Sequence, residues 1–531
     1  MRLAKQITIG NKTVDVPVTV IDQLVNWFDP QKGAERYKSR ARMALSGGYT
    51  AADKTRRANQ LGGRKESDAD SAILPDLQTL RDESQHMFRN SPIACGALKT
   101  NVTKVVGTGL KVKSSIDREV LGLTDEQADA WEKAAEREYL LATETVEIDA
   151  EREMPFSLLQ GLAFFKVLED GDVFVNMPRI ARAGSPYKTK LQLIEAARVC
   201  NPVEKSTVDN LIWGVEKDQY GAPVKYHVCS RHPGSYRFRT HRNSLTWTEL
   251  EAFGKHTGRR QVLHLKDKTR PGQTRGVPYL APVIELIKQL GRYTDAEVMA
   301  AVVSGMLTVF VTNEQGIPEF DGGDDDNPEP TTIDTNGLEL GHGSVLGLMP
   351  GEKVDTVDPS RPNQAFDPFV QAILRQIGVA LELPFELLIK HFTSSYSAAR
   401  AALIEAWTYF MRRRHWLVIN LCQPVYETII TEAVVSGRLK APGFLADPMV
   451  RKAWLGTSWI GDAMPQIDPL KEINAAAKRV EMTITTLDEE SRKLTGTPWE
   501  GKLPQILKER AILRENNIRI SAYSGELTEA A

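Results

Sequence analysis

Cysteine is scarce in this chain, with four among 531 residues. That excludes a disulfide scaffold and points to folding in a reducing compartment. A surplus of positive charge is also missing: 67 lysines and arginines stand against 69 aspartates and glutamates, a formal net charge of −2. A protein that coats nucleic acid through bulk charge would show a clear basic excess. Long apolar runs are lacking too. The most apolar long window, Val298 to Val311, has only 14 residues and includes Ser304, Gly305 and Thr308. A membrane-spanning helix needs about 20. The opening stretch MRLAKQITIGNKT has no apolar segment of secretory type. The expected location is therefore the cytoplasm, at least at synthesis, with no membrane partner.

Signatures of catalysis are absent as well. There is no G-x-S-x-G elbow, no phosphate-binding Walker loop and no H-E-x-x-H helix. Gly341, Gly343 and Gly347 have the wrong spacing for a dinucleotide turn and read as a β-turn region. The densest group of potential metal ligands, His227, Cys229 and His232, lacks a fourth partner at zinc spacing. It reads as structural. Cys95, Cys200 and Cys422 read as small packing residues. No catalytic residue, metal or cofactor is expected, and the chain reads as a non-enzyme.

What is present is a folded protein, 41% hydrophobic and 26% charged. Its length suits three or four domains or one elongated subunit. Near the N-terminus, Thr13 to Ile21 looks β-like. Residues 31–65 carry Lys32, Arg36, Lys38, Arg40, Arg42, Lys54, Arg56, Arg57, Arg64 and Lys65 against Glu35 and Asp53. This is a basic arm, either simply solvated or wrapped on a neighbour or a polyanion.

An amphipathic helical pattern runs from Ser71 to Gly107. Thr124 then opens a helix, with Gln127 completing a capping box. Another helix is expected from Pro155 to about Leu168. From 170 to 268 short strand patterns recur: Val173–Met177, Leu191–Glu195, Ile212–Glu216, Val224–Val228 and Val262–Leu265. A long helix opens at Pro282, and β-like stretches follow at Leu307–Val311, Ser344–Leu348 and Lys353–Val357. Between the first two lies an acidic Gly/Pro-rich insert, Pro318–Pro330. A second helix is expected from about Pro368 to Leu383, stopped by Pro384. A third runs from Ala398 to about Ile419 and beyond Pro424 with a kink. The fold class is α+β, with long helices whose apolar content is high for exposed hairpins, so they are expected to pack further, against this chain or copies of it. Two basic patches stand out. Arg231, Arg237, Arg239 and Arg242 alternate as one face of a hairpin or a nucleic-acid surface. Arg412, Arg413 and Arg414 span nearly a helical turn, so they cannot share one groove.

Several blocks resemble the portal proteins of lambda-type tailed bacteriophages. Arg270-Pro271-Gly272-Gln273-Thr274-Arg275-Gly276-Val277-Pro278 before a long helix is similar to a family signature. Gly48-Tyr49 with Arg56-Arg57, Arg89-Asn90-Ser91-Pro92, and Val106-Gly107-Thr108-Gly109-Leu110 agree in order. So do Leu348-Met349-Pro350-Gly351-Glu352, Tyr396-Ser397-Ala398-Ala399-Arg400, Trp459-Ile460-Gly461 and Asp468-Pro469-Leu470-Lys471-Glu472. The resemblance covers roughly residues 36–480.

It implies a portal fold: a mixed α/β wing, long stem helices, a small β-rich clip, a tunnel loop and a long wing helix, assembled as a ring oligomer. The expected divisions are a basic arm at 1–70, the wing at 71–278, the first stem helix at 279–304 and the clip at 305–365. The second stem helix follows at 366–388, the tunnel loop at 389–397, the long wing helix and distal region at 398–474, and a helical tail region at 475–531. The resemblance also implies a homo-oligomer, usually twelve-fold, at one capsid vertex of the virion. Double-stranded DNA would pass through it without sequence preference. Further implied partners are the terminase large subunit, the head–tail connector or adaptor, and the major capsid and scaffold proteins. Lys390, His391, Thr393, Ser394, Ser395 and Tyr396 would face the DNA channel. Asp321, Asp324, Asp325, Asp326 and Glu329 would meet a partner at the clip. The alternative is a nucleic-acid-binding or DNA-processing component of a phage packaging machine.

Overall fold

The computed structural model describes residues 66–202, 210–235, 245–305, 309–313, 352–356, 366–391, 396–464, 469–495 and 499–516, and, nearer the N-terminus, 4–9, 12–17, 27, 30–32 and 35. The chain divides into two compact units, Met1–Asp68 and Ala69–Ala531. In the first unit β1 (Ala4–Ile9) pairs antiparallel with β2 (Lys12–Pro17), in register from Ala4↔Pro17 to Ile9↔Lys12. The Gly-Asn pair between them is a typical hairpin composition. The β-like stretch expected from Thr13 thus begins one residue earlier. Most of the basic arm lies outside the described residues.

The second unit opens with α1 (Ala69–Asn90) and α2 (Pro92–Val105). A single amphipathic pattern had suggested one continuous element here. Ser91 divides it: its backbone is extended, and its hydroxyl accepts the Ala94 N–H at 3.4 Å, with Pro92 in the first turn. After β3 (Lys111–Ser114) comes α3 (Asp125–Thr143), which starts on the expected capping box. The Thr124 hydroxyl accepts the Gln127 N–H, and the Gln127 side chain accepts the Thr124 N–H at 3.2 Å. Pro155 precedes α4 (Phe156–Asp170), and Gly171 ends it.

The strand-dense region contains β4 (Asp172–Asn176), β5 (Gln192–Glu195), β6 (Leu211–Ile212), β7 (Val215–Lys217), β8 (Pro223–Cys229), β9 (Trp247–Glu251) and β10 (Val262–Lys266). They form two antiparallel sheets, β10-β4-β5 and β6-β7-β8-β9. The first is buried on both faces. Val173 and Val175 enter the main core, while Phe174 between them enters a second, smaller core with Ile194, Tyr226, Val228 and Val262. The period of two sorts the side chains between the layers. One expectation is corrected: Ile212–Glu216 is not one strand but the tip of a hairpin. Trp213 (φ 46) and Gly214 (φ 79) both adopt left-handed backbone in the two-residue turn. A Cβ on Gly214 would lie 2.5 Å from the Cys200 nitrogen. Tryptophan is not a turn former, so the apolar run concealed the reversal.

A short 3₁₀ turn at Ala281–Val283 leads into α5 (Ile284–Gly305). Next come β11 (Val309–Asn313) and β12 (Glu352–Thr356), paired antiparallel. The stretch expected at Ser344–Leu348 lies outside the described residues. Then follow α6 (Phe366–Ala380), α7 (Phe385–Ile389) and α8 (Tyr396–Leu417). Helix α6 ends before Leu383, earlier than expected. The Leu383 N–H turns back to the Gly378 carbonyl at 2.9 Å while Glu382 sits left-handed at φ 51. Pro384 opens α7 rather than stopping α6. Beyond α8 the chain stays helical through a π-helical turn at Val418–Cys422 into α9 (Gln423–Val435). The wider turn lies just before Pro424, which has no N–H to continue the ordinary ladder.

The chain closes with α10 (Pro448–Trp454), β13 (Thr457–Ile460), α11 (Pro469–Glu481), α12 (Leu487–Thr495) and α13 (Trp499–Glu515). Strand β13 returns to pair with β3. The main core joins α2, α4 and β4 to the first turns of α5, the end of α6, and the run α8–α9. No described helix is long and apolar enough to cross a membrane.

Candidate functional site

Two features command the middle of the second unit: a buried polar hub, and a pair of long helices that leaves the core. Asp172 begins β4 and is completely buried. Its carboxylate accepts from Arg81 on α1 at 2.6 Å, from Arg275 Nε at 2.6 Å and from His264 on β10 at 3.0 Å. Arg275 is also completely buried. Its remaining N–H groups reach the carbonyls of Val199 (2.8 Å), Trp213 (2.7 Å) and Ala196 (2.7 Å), with a second bond to Asp172 at 3.2 Å. All five guanidinium donors are thereby used. One side chain ties together both sheets and the signature loop. The two flanking guanidiniums hold the Asp172 carboxyl well below the usual carboxylate range, against the opposing effect of burial.

The signature segment 270–278 owes its form to this hub. Arg275 points inward, and the next residue, Gly276, lies against Gly171: a Cβ on Gly276 would fall 1.9 Å from the Gly171 carbonyl oxygen. Gln273 is buried and braces the loop, accepting the Thr269 N–H at 2.9 Å and donating to the Arg275 carbonyl at 2.8 Å. Sequence reasoning marked the segment by resemblance but missed Arg81, Asp172 and His264. The signal available was a lone carboxylate opening the apolar strand Asp172–Asn176.

The three consecutive arginines of α8 diverge as their spacing requires. Arg412 pairs with the left-handed Glu382 at 2.8 Å. Arg413 reaches Asp267, beside the signature loop, at 2.5 Å. Arg414 is buried and donates to the carbonyls of Lys104, Val105 and Asp462. Asp462 in turn accepts the Thr108 N–H at 3.0 Å and its hydroxyl at 2.9 Å. Gly461 packs against the Arg414 guanidinium, and Gly107 packs against Asp462. Blocks near 107, 414 and 461, far apart in sequence, therefore meet at one place.

The helix pair α5–α6 joins through Tyr293, whose ring lies 5.6 Å from Phe366 and 4.9 Å from Phe369. Beyond Leu290 none of the described side chains of α5 is buried, although Ala296, Val298, Met299 and Val302 lie there. On α6, Val379 is 81% exposed. It lines a groove of about 810 Å³ with Arg375, Phe385, Ala402 and Tyr409.

Among the expected channel residues, Lys390 and His391 are exposed just after α7, where Lys390 takes a left-handed conformation at φ 55. Thr393, Ser394 and Ser395 lie outside the described residues. Tyr396 opens α8. Asp321, Asp324, Asp325, Asp326 and Glu329 lie outside the described residues, as do Arg237, Arg239 and Arg242. Arg231 is exposed after β8. His227 is buried with Nε2 3.3 Å from Glu216, and His232 accepts the Gly234 N–H at 2.9 Å. Among the described residues no cluster of three or more histidine, cysteine or acidic side chains is arranged to hold a metal.

The hub carries a pH signature. Burial pushes the His264 imidazole down to about 3 from an ordinary 6.5. Below pH 6.5 the unfolded chain takes up a proton that the folded chain refuses. Stability from this group is therefore complete above pH 6.5 and falls by about 1.4 kcal/mol per pH unit on acidification towards 3. His264→Gln should flatten the slope by close to one proton between pH 6 and 4, read from urea midpoints. An unchanged slope would show that His264 titrates normally in the folded protein.

A family model described as phage portal protein, lambda family, matches residues 54–414. Portal protein B of Escherichia phage lambda is 24% identical over 483 residues, covering 87% of this chain and 89% of that protein. The portal protein of Escherichia phage N15 is 25% identical over 485 residues, with the same coverage of 87% and 89%. A probable portal protein of Halomonas phage phiHAP-1 is 22% identical over 460 residues, covering 86% and 85%. Among solved structures, a chain from the neck of a native gene transfer agent particle aligns with a TM-score of 0.40 and 12% identity, covering 80% of this chain and 95% of that one.

Proposed function

Because this chain belongs to the lambda family of phage portal proteins, we propose that it closes into a ring at one capsid vertex of the virion, forming the channel through which double-stranded DNA is packaged and later ejected. The role is structural. The observation that carries the assembly is the unburied apolar surface on the helix pair. Val298, Met299 and Val302 on α5, and Val379 on α6, are each between 47% and 81% exposed. Surface of this kind is expected at an interface between copies. A head-to-tail contact that repeats by rotation closes a ring. The groove around Val379 is the proposed seat for a neighbouring copy.

Lys390, His391, Thr393, Ser394, Ser395 and Tyr396 are proposed to face the DNA. One lysine per subunit among hydroxyls gives weak, sequence-independent contact with phosphates, which suits sliding better than gripping. Residues 305–365 are proposed as the clip, bracketed by the stem helices α5 and α6. Its acidic stretch from Asp321 to Glu329 is the proposed contact for the terminase large subunit during packaging and for the connector afterwards. Capsid and scaffold proteins would meet the wing.

Electron microscopy with mass measurement on the same sample tests the ring. Native protein should give annular particles, under scaffold-assisted assembly if necessary. Val379→Asp should reduce ring yield at least tenfold while shifting the denaturation midpoint of the subunit hardly at all, since the site is exposed in the single chain. Compact particles without a channel in every condition would sink the reading.

A further inference from the structure

We propose that the cleft between β7, the end of β10 and the signature loop binds a small phosphate-bearing ligand in the size class of a nucleoside monophosphate. This goes beyond the channel reading and rests on the α/β body alone. The cavity measures about 330 Å³, at the lower end of the range for small-molecule sites. Lys217, Arg260, Lys266 and Lys268 line it, and no aspartate or glutamate does. Asp70 pairs with Lys217 at 3.4 Å and offsets its charge. Arg260, Lys266 and Lys268 remain as lining cations with no lining carboxylate.

Like charges converging on a concave, partly desolvated space repel one another unless an anion joins them. Lys266 registers that strain. Burial, together with the charges of Lys217, Lys268 and Arg275, brings it down to about 8 even though Asp172 opposes the change. Its ammonium already donates to the Gln273 carbonyl at 3.1 Å and to that of Thr274, which fixes its position at the cleft.

A second observation is independent of charge. Tyr226 is 2% exposed and lines the cleft. Its hydroxyl makes no hydrogen bond among the described residues, and burial raises its pKa, which keeps it protonated as a donor. The hydroxyl opens on the cleft, where it can donate to an acceptor that enters. Phosphate oxygens supply one and add charge-assisted bonds with the lysines. At the rim, Tyr220 is 86% exposed, offering an aromatic face on which a base can stack. A DNA duplex is too broad to enter a cavity of this volume, whereas a single nucleotide can.

Calorimetric titration of the full-length protein at low salt and at 0.15 M salt tests the site, with adenosine monophosphate, inorganic phosphate, adenosine and a blunt duplex as probes. Adenosine monophosphate should bind at least tenfold more tightly than adenosine, and inorganic phosphate should compete with it. The double variant R260E/K268E, altered at two exposed positions, should lose at least tenfold in affinity while keeping its thermal midpoint. Lys478→Glu, at a remote exposed lysine on α11, should leave affinity unchanged. The proposal is overturned if no phosphate-bearing probe binds, if adenosine binds as well as its monophosphate, if the duplex alone binds, or if both charge variants weaken binding equally.

Discussion

Asp172→Ala is expected to abolish stable folding of the α/β body or to lower its stability by about 3–5 kcal/mol, the typical loss when one partner of a buried ion pair is removed. Arg81 and Arg275 are 2% and 0% exposed. Without the carboxylate, two guanidiniums stay desolvated and His264 loses its acceptor. The arginines should rank in a defined order. Arg275→Met frees three backbone carbonyls and half of the Asp172 carboxylate, so it should cost more than Arg81→Met. Arg81 has one nitrogen, Nη1, that finds no partner. Arg275→Lys should not rescue, because an ammonium cannot reproduce the planar fork that reaches Asp172 and three carbonyls together. Urea denaturation of soluble protein, or the soluble fraction where folding fails, reads the series. A loss below about 1 kcal/mol for Asp172→Ala would show that the hub is dispensable.

Gly276→Ala should be comparably severe, for a steric reason. The added methyl would stand 1.9 Å from the Gly171 carbonyl oxygen and 2.5 Å from its carbon. Backbone must move on one side or the other, between the end of α4 and the loop that delivers Arg275. A loss above about 4 kcal/mol belongs to this short class of mechanisms. The control lies in the same loop. Gly272 is left-handed at φ 78, but a Cβ there meets nothing within 4 Å. Gly272→Ala should cost only the local strain of about 1 kcal/mol. Equal effects of the two substitutions, measured by thermal unfolding, would mean that close approach at Gly276 is not what demands glycine.

These expectations show why the signature segment was recognisable in sequence yet mute about its purpose. Arg275 shows nothing of its burial in sequence until four partner residues from distant segments surround it with five hydrogen bonds. Lys217 lies far from Lys266 and Lys268 in sequence, and the three carry no motif. They become a site only because a hairpin and a sheet edge bring β7 and β10 to one cleft. Arg412, Arg413 and Arg414 had to diverge, since consecutive helical residues point about 100° apart. That Arg414 would run inward to Asp462 could not be read from spacing.

The sequence by itself determined what local chemistry controls. The Thr124 capping box, the start of α4 after Pro155 and the period-two strands are set within a few residues, where backbone preference and side-chain alternation suffice. Family membership was legible for a similar reason, since ordered blocks survive as short strings. Tertiary structure alone decided where charges are buried, which glycines face another backbone, and that Trp213 joins Gly214 in the turn that reverses the chain. Those outcomes depend on contacts between distant parts of the chain, such as Arg81 with Asp172, 91 residues on, and Thr108 with Asp462, 354 residues on. Their energy comes from desolvation and close packing in the assembled layers, and no window of sequence contains both partners.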